Sequence, residues 1–331
     1  MTSPVRSVLL SVGVAALLVQ ALSGARQAGP SAVDTPARYV DRTQLMRDVE
    51  TLAAPDFEGR RTGTPGGLRA QQWLIDQFRA IGLTPAGTRE YAQPFTFVAR
   101  ERRSAPPDDR PVLTDRAGAN VIGRVPGREA RARWLVITAH YDHLGLRDGV
   151  LFPGADDNAS GVATLLAAAR YFVTHPPRHP MMFAALDAEE LGLHGARALV
   201  NSPLLPRSAV AMNINLDMLS RNERREIFAA GTFHAPWLTP LLQDVQKRAS
   251  VNILFGHDRP IGRGVELEDW THLSDHGPFH DAGIPFVYFG VEDHPAHHRS
   301  TDTADRIEPR FFGDVSDMTI EAMRTFDRRV E

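Results

Sequence analysis

The sequence predicts an α/β protein in which helices cover both faces of a mostly parallel, mixed central sheet, giving three layers. Short apolar runs of strand length alternate with stretches of helical periodicity. That alternation is typical of strands joined by helical crossovers. No linker-like segment divides the chain after residue 41, so we expect a single domain over residues 41–331.

The first well-defined element is a helix. Thr64 and Pro65 predict its start and Gly82 its end. Apolar residues recur between them at helical spacing: Ala70, Leu74, Phe78 and Ile81. Residues 88–116 are rich in proline and arginine and weakly patterned, which indicates an edge strand and a loop.

Five apolar runs then have the length of strands, at residues 120–125, 134–139, 181–186, 209–216 and 284–289. Ser160 is predicted to cap a helix whose apolar face comprises Val162, Leu165, Leu166, Ala169 and Val173. Another helix is predicted over residues 236–249. The last is predicted from Glu308 towards Val330, with its inward face formed by Phe312, Val315, Ile320, Met323 and Phe326.

Composition excludes several functions. Lys and Arg total 37 against 40 Asp and Glu, so the net charge of -3 opposes a nucleic-acid surface. The chain of 331 residues has no cysteine, which excludes disulfides, thiol catalysis and cysteine-ligated zinc. Any bound metal must therefore be held by His, Asp and Glu.

The N-terminus has the pattern of a secretory signal. Arg6 precedes an apolar run over residues 8–22, and small residues follow at positions 23–25. We expect residues 1–25 to be a signal peptide and residues 26–40 a flexible mature N-terminus. The mature protein would be periplasmic or secreted, without stable membrane insertion. The alternative is an N-terminal membrane anchor.

Polar residues follow three predicted strands where each ends. His140 and Asp142 follow one, the acidic residues 187–190 follow the next, and Asp217 follows a third. Open α/β sheets bind ligands outside the carboxyl ends of their strands. Two loops, at residues 154–158 and 297–303, add further candidates. Each segment alone has an ordinary structural explanation, but all of them together indicate one site.

In their order along the chain, these segments resemble the M28 family of zinc aminopeptidases. The motifs are Ala-His-Tyr-Asp-His at 139–143, Gly-Ala-Asp-Asp-Asn-Ala-Ser-Gly at 154–161, Asp-Ala-Glu-Glu-Leu-Gly at 187–192, Asn-Leu-Asp at 215–217, and residues 298–303. Residues 60–66 and 274–276 also resemble that family. The resemblance covers residues 45–303 and implies the zinc-exopeptidase (phosphorylase/hydrolase-like) fold.

The resemblance also implies a metal centre with two zinc ions per chain. Asp157 would bridge the ions, His140 and Asp217 would complete one site, and Glu190 and His298 would complete the other. Each ion would then have three protein ligands and an open position, as catalytic zinc does.

Two acidic residues are expected to act beside the metals. The resemblance implies that Glu189 is the general base that activates a water shared by the ions, although the residues alone do not distinguish it from Glu190. Asp142 is expected to accept the remaining imidazole N–H of His140 and fix its tautomer. The implied activity is removal of N-terminal residues from peptides with a free N-terminus.

The final motif departs from the family pattern. His297 stands where the family commonly has the tyrosine that binds the oxyanion, and Ser300 replaces a proline. His297 and His276 are therefore alternative oxyanion or substrate contacts, and His294 is a weaker candidate ligand. We also predict a cis peptide bond after Asp157, from the resemblance and from the tendency of unusual backbone to collect at active sites.

Two other functions remain open on the same fold. One is a single-zinc aminoacyl transferase like glutaminyl cyclase, and the other is a non-catalytic binding domain. Metal content and a peptidase assay with and without chelator would discriminate them. A serine hydrolase and a His-Glu-x-x-His protease are disfavoured, because neither motif occurs. The oligomeric state is left open.

Overall fold

The computed structural model describes Met1 and residues 38–101, 112–129, 131–260, 262 and 268–330. The chain from Ala37 to Glu331 forms one compact unit. The predicted signal peptide and most of the predicted flexible N-terminus lie outside the described residues. Among the helices that the structure describes, none combines the length and apolar character needed to cross a membrane.

From residue 161 onward, helices separate most of the strands as predicted, whereas the six strands between residues 84 and 152 follow one another with no helix between them among the described residues. The strands are β1 (Thr84–Pro85), β2 (Ala92–Glu101), β3 (Val112–Val125), β4 (Trp134–His140), β5 (Gly145–Arg147), β6 (Val150–Phe152), β7 (Met181–Leu186), β8 (Val210–Leu216), β9 (Glu226–Ala230), β10 (Asn252–Leu254) and β11 (Phe286–Gly290). The helices are α1 (Arg42–Leu52), α2 (Pro65–Ile81), α3 (Gly161–Thr174), α4 (His194–Val200), α5 (Leu238–Gln246), α6 (His276–Asp281) and α7 (Pro309–Arg329).

The main sheet is mixed. Its strand order is β1-β3-β7-β4-β8-β11-β9-β10, with β2 paired to β3. The central strands β7, β4, β8 and β11 run parallel, and so do β9 and β10. Antiparallel pairs join β3 to β1, β2 and β7, and join β11 to β9. The predicted α/β fold with a central mixed sheet is confirmed.

Helices pack against both faces of this sheet. On one face, α1, α2, α3, α5 and α7 share a large apolar cluster with the strands. On the other face, α4 and α6 cover a smaller cluster that includes Val136 and Met182. The residues predicted to face inward from α7 are all fully buried. Burying a side chain of that size contributes about 1.5–3 kcal/mol, so this helix seals one layer of the core.

Local signals at two helix ends act as predicted. The Thr64 hydroxyl accepts the backbone N–H of Gly67 at 3.2 Å, which caps α2. Gly82 ends α2 with φ 90, in the left-handed region where glycine has no steric penalty. At the start of α7, the Glu308 carboxylate accepts the backbone N–H groups of Arg310 and Phe311.

The prediction that Ser160 caps α3 is wrong. Ser160 has a helical backbone, and its hydroxyl donates to the Asp156 carbonyl at 2.7 Å. A π-helical turn over Ala155–Ser160 precedes α3, so the chain is already coiled before Gly161. The Gly161 N–H is instead accepted by the Asn158 side chain at 2.9 Å. The peptide bond between Asp157 and Asn158 is cis, as predicted.

Candidate metal centre

The predicted ligands lie together at the carboxyl ends of neighbouring strands. His140 is the last residue of β4, and Asp217 directly follows β8. Glu190 lies in the turn after β7, while Asp157 belongs to the turn that leads into α3. Because β7, β4 and β8 are adjacent in the sheet, their ends open on one edge. His298 reaches the same edge from the loop beyond β11.

Asp157 is the centre of this arrangement. Its carboxylate belongs to three groups of converging donor atoms, formed with His140 and Asp217, with His143 and Glu190, and with His297 and His298. His140 Nε2 lies 3.4 Å from Asp157 Oδ1. The histidines of the other two groups lie nearest the second oxygen, Oδ2. One carboxylate thus presents one oxygen to each side.

The distances fit ligands that share an ion. His140 Nε2 is 3.3 Å from Asp217 Oδ1. His298 Nε2 is 3.2 Å from Asp157 Oδ2 and 3.3 Å from Glu190 Oε2. Donor atoms held at tetrahedral angles about 2.0–2.1 Å from zinc lie about 3.3–3.4 Å apart. The spacing on each side of Asp157 is therefore that of ligands able to share a cation.

Among the described residues, several buried polar atoms at this site have no hydrogen-bond partner. They are Asp157 Oδ2, Glu190 Oε1 and both ring nitrogens of His143. Such atoms are costly to bury unpaired, by about 1–3 kcal/mol or more each. A cation would satisfy the oxygens, and imidazole and carboxylate without thiolate is a donor set that zinc accepts. The residues present therefore fit the metal that the resemblance implies.

The electrostatics also suit a cation. Burial opposes ionisation of Asp157, but the surrounding imidazoles, His143 foremost, hold the pKa of its carboxyl well below the usual range. The close contacts of its ring with the carboxylates of Asp157 and Glu190 raise the pKa of His298 to about 10. The raised pKa favours a protonated imidazole. Metal binding must displace that proton.

The two adjacent glutamates differ in their protonation. Burial and the charge of Asp157 oppose ionisation of Glu190, yet His143 and His298 lower its pKa to about 2. Burial raises the pKa of Glu189 well above the usual range, with Glu190 adding to the effect and His140 opposing it. A permanently ionised carboxylate suits a ligand, and one with a raised pKa suits proton transfer.

Asp142 is positioned differently from the prediction. His140 Nδ1 lies 3.1 Å from the backbone carbonyl of Asp142, but 3.8 Å from its carboxylate. The carboxylate instead accepts the backbone N–H of Glu189 at 3.0 Å and of Glu190 at 3.3 Å. The backbone of Asp142 thus orients the imidazole, while its side chain holds the turn that carries both glutamates.

A cavity of about 420 Å³ opens over these residues. Part of its wall is apolar, formed by Met218, Trp270, Leu273, Tyr288 and Val291. Trp270 is held in place by stacking on the His257 ring, with centroids 3.6 Å apart. The site therefore combines a charged floor with an apolar wall, as small-ligand sites do.

The two candidate oxyanion contacts differ in availability. His276 is fully buried, and burial lowers its pKa to about 3, so it is neutral. Its Nε2 lies 2.9 Å from the Trp270 carbonyl, which occupies its single N–H. His297 Nδ1 lies 2.9 Å from Asp293 Oδ2, and its Nε2 faces Asp157 at 3.5 Å. Of the two, His297 is the one with a donor directed at the metal ligands.

His294 lies outside the ligand groups. Its Nε2 is 2.9 Å from Asp156 Oδ2, which belongs to none of the converging groups. Asp302, in the final motif, accepts the backbone N–H groups of Asp156 and Asp157 at 3.1 Å. These contacts hold the turn that contains Asp157 in place.

Sequence reasoning missed two residues that contact the ligands. Ser274 donates to Asp217 Oδ2 at 2.7 Å. His143 Nδ1 lies 2.7 Å from Glu190 Oε1, outside good hydrogen-bond geometry. Both residues lie in segments on which the family resemblance rests, and their position in those segments could have indicated them as site residues. Their roles depend on which side chains face them across the sheet edge.

The three-layer fold and the converging imidazoles and carboxylates define an α/β protein with a candidate metal centre at one edge of its sheet. The chain belongs to peptidase family M28, whose family model matches residues 120–323.

Known proteins agree with this placement. Aminopeptidase YwaD of Bacillus subtilis (strain 168) is 28% identical over 225 residues, which cover 64% of this chain and 45% of that protein. The chain therefore spans about half the length of this relative. The structure of an aminopeptidase from Aneurinibacillus sp. strain AM-1 matches with a TM-score of 0.70 at 17% identity, covering 86% of this chain and 93% of that chain.

A glutaminyl cyclase has the same fold. The Bacteroides thetaiotaomicron enzyme bound to N-acetylhistamine matches with a TM-score of 0.63 at 18% identity, covering 87% of this chain and 99% of that chain. At such identities, both structural matches show the fold alone. The residues of the site must therefore distinguish an aminopeptidase from a glutaminyl cyclase.

Proposed function

We propose that the protein is an exported aminopeptidase that binds two zinc ions and hydrolyses the first peptide bond of substrates with a free N-terminus. The observation that carries this proposal is the position of Asp157, which presents one oxygen to each of two ligand groups. Export is supported by the signal-like pattern of residues 1–25. The sequence of the Bacillus aminopeptidase supports the substrate class.

Zinc in this site would supply a Lewis acid that polarises the substrate carbonyl and acidifies water. His140 and Asp217 would hold one ion, Glu190 and His298 the other, with Asp157 between them. The carboxylates of Asp157 and Glu190 are kept ionised by the imidazoles around them. The Asp142 carbonyl would orient the His140 imidazole, and the Asp142 carboxylate, which accepts the backbone N–H of Glu190, would hold that ligand in place.

Glu189 would move the proton. Its raised pKa allows it to accept a proton from the attacking water and deliver it to the leaving amine. His297 would donate a hydrogen bond to the carbonyl oxygen as negative charge develops there. The α-ammonium of the substrate would meet Glu189 and Asp217, which line the same cavity. An acetylated N-terminus lacks the positive charge for that contact.

The test combines metal analysis with a pair of peptides. The purified protein should contain two zinc ions per chain, release the first residue of a free peptide, and leave its N-acetylated counterpart intact. Chelation should abolish release. One zinc per chain with cyclisation of N-terminal glutamine would establish the transferase alternative. Two zinc ions without turnover of any free peptide would indicate a binding domain.

Removing His298 should cost one zinc ion, while removing the nearby His294 should not. His298 Nε2 contacts both Asp157 and Glu190, whereas His294 binds Asp156. We expect His298→Ala to contain about one zinc per chain and His294→Ala about two, by elemental analysis after dialysis. The reverse pattern would show that the second site has been assigned to the wrong histidine.

A further inference from the structure

Arg60 is a fully buried arginine beneath the loops that carry the metal ligands. It belongs to the segment at residues 60–66 that contributed to the family resemblance, but the proposed reaction gives it no role. Arginine is rarely buried without satisfying its guanidinium. Its position therefore calls for a specific set of acceptors.

The guanidinium donates to four backbone carbonyls. Nε bonds Tyr141 O at 2.8 Å, and Nη2 bonds Gly154 O at 2.9 Å. Nη1 bonds both Leu52 O at 2.7 Å and Pro153 O at 2.5 Å. One rigid, planar group thus joins the end of α1 to two separate loops.

Those two loops carry ligands of the metal centre. Tyr141 lies between His140 and Asp142, and Gly154 directly precedes the turn that contains Asp157. The bonds from Arg60 therefore fix the end of β4 relative to the turn that contains Asp157. These bonds thereby maintain the relative position of His140 and Asp157, whose Nε2 and Oδ1 atoms lie 3.4 Å apart.

The positive charge of Arg60 opposes cation binding, whereas its hydrogen bonds favour it. Burial lowers its pKa to about 10, and the surrounding carboxylates, Asp157 foremost, favour its charged form. A fixed positive charge near a cation site repels the cation. If charge dominated, removing Arg60 would tighten metal binding, and if loop geometry dominated, removal would weaken it.

We propose that Arg60 is a positioning residue that holds the metal-ligand loops in their binding geometry. The inference rests on the proposed metal sites. Three hydrogen bonds to loop backbone and one to the end of α1 provide the geometric constraint, and supporting contacts of this kind contribute about 10–100-fold to metal affinity. This positioning outweighs the repulsion from its charge.

The experiment compares three variants with the wild type. Arg60→Met removes all four hydrogen bonds, and Arg60→Lys keeps the charge with fewer directed bonds. Arg170→Met is the control, because Arg170 pairs with Asp48 at 2.6 Å between α3 and α1. We would measure zinc dissociation constants by competition with a chromophoric chelator, and thermal unfolding of each metal-free protein. Arg60→Met should weaken zinc binding at least tenfold and Arg60→Lys less, whereas Arg170→Met should lower only Tm.

Unchanged zinc affinity in Arg60→Met would overturn the inference, and tighter binding would show that Arg60 acts as a counter-charge. If Arg60→Met does not fold, Arg60→Lys decides, and wild-type affinity in that variant would refute positioning. A wild-type protein that binds no zinc would refute the proposed function instead.

Discussion

Replacement of Glu189 by Gln is expected to reduce kcat by about 10²–10⁴-fold, the usual contribution of a general acid–base, while both zinc ions stay bound. The amide cannot take a proton from water or return it to the leaving amine. Glu189 lines the cavity, yet it belongs to none of the converging ligand groups. The measurements are kcat on a free-N-terminus peptide and zinc content of the same sample.

The neighbouring Glu190→Gln variant provides the matched control. Glu190 Oε2 lies 3.3 Å from His298 Nε2, so its loss should remove zinc from that side as well as activity. The two variants change adjacent residues by the same chemistry but should differ in metal content. Loss of zinc from Glu189→Gln with full content in Glu190→Gln would reverse the two assignments.

Replacement of Asp157 by Asn is expected to leave the protein with less than one zinc per chain and no detectable hydrolysis. An amide offers one acceptor oxygen and no negative charge, so it cannot serve both ligand groups. The imidazoles of His140 and His298 would then face each other without the anion between them. Elemental analysis after dialysis, with activity measured at added zinc, checks this result.

The control is the preceding residue, which is equally buried. Asp156 accepts the N–H and hydroxyl of Ser220 and faces His294, so it supports the turn without contacting the converging donors. Asp156→Asn should lower Tm and retain both ions. A zinc content of two in Asp157→Asn would contradict the bridging geometry, whatever its effect on activity.

Much of the fold follows from local patterns. The bounds of β7 agree with its apolar run, and α2 starts and ends at its capping residues. Apolar periodicity and helix-capping residues are features of a few consecutive residues, so they can be recognised in the sequence alone. Ser160 misled the prediction because its hydroxyl bonds Asp156 within a π-helical turn. A serine before an apolar run does not reveal that competing bond.

By itself, the sequence determined the class of fold and placed His140, Asp157, Glu190, Asp217 and His298 in segments that end at one sheet edge. The tertiary structure alone decided how they meet. In the folded chain, the Asp142 carboxylate accepts the backbone N–H of Glu189 rather than contacting His140. The pKa of Glu189 is raised and that of Glu190 is lowered. Arg60 is buried, with its guanidinium bonded to two loops. Those outcomes depend on strand order and on distances of a few ångströms between residues far apart in the chain, which local spacing does not encode.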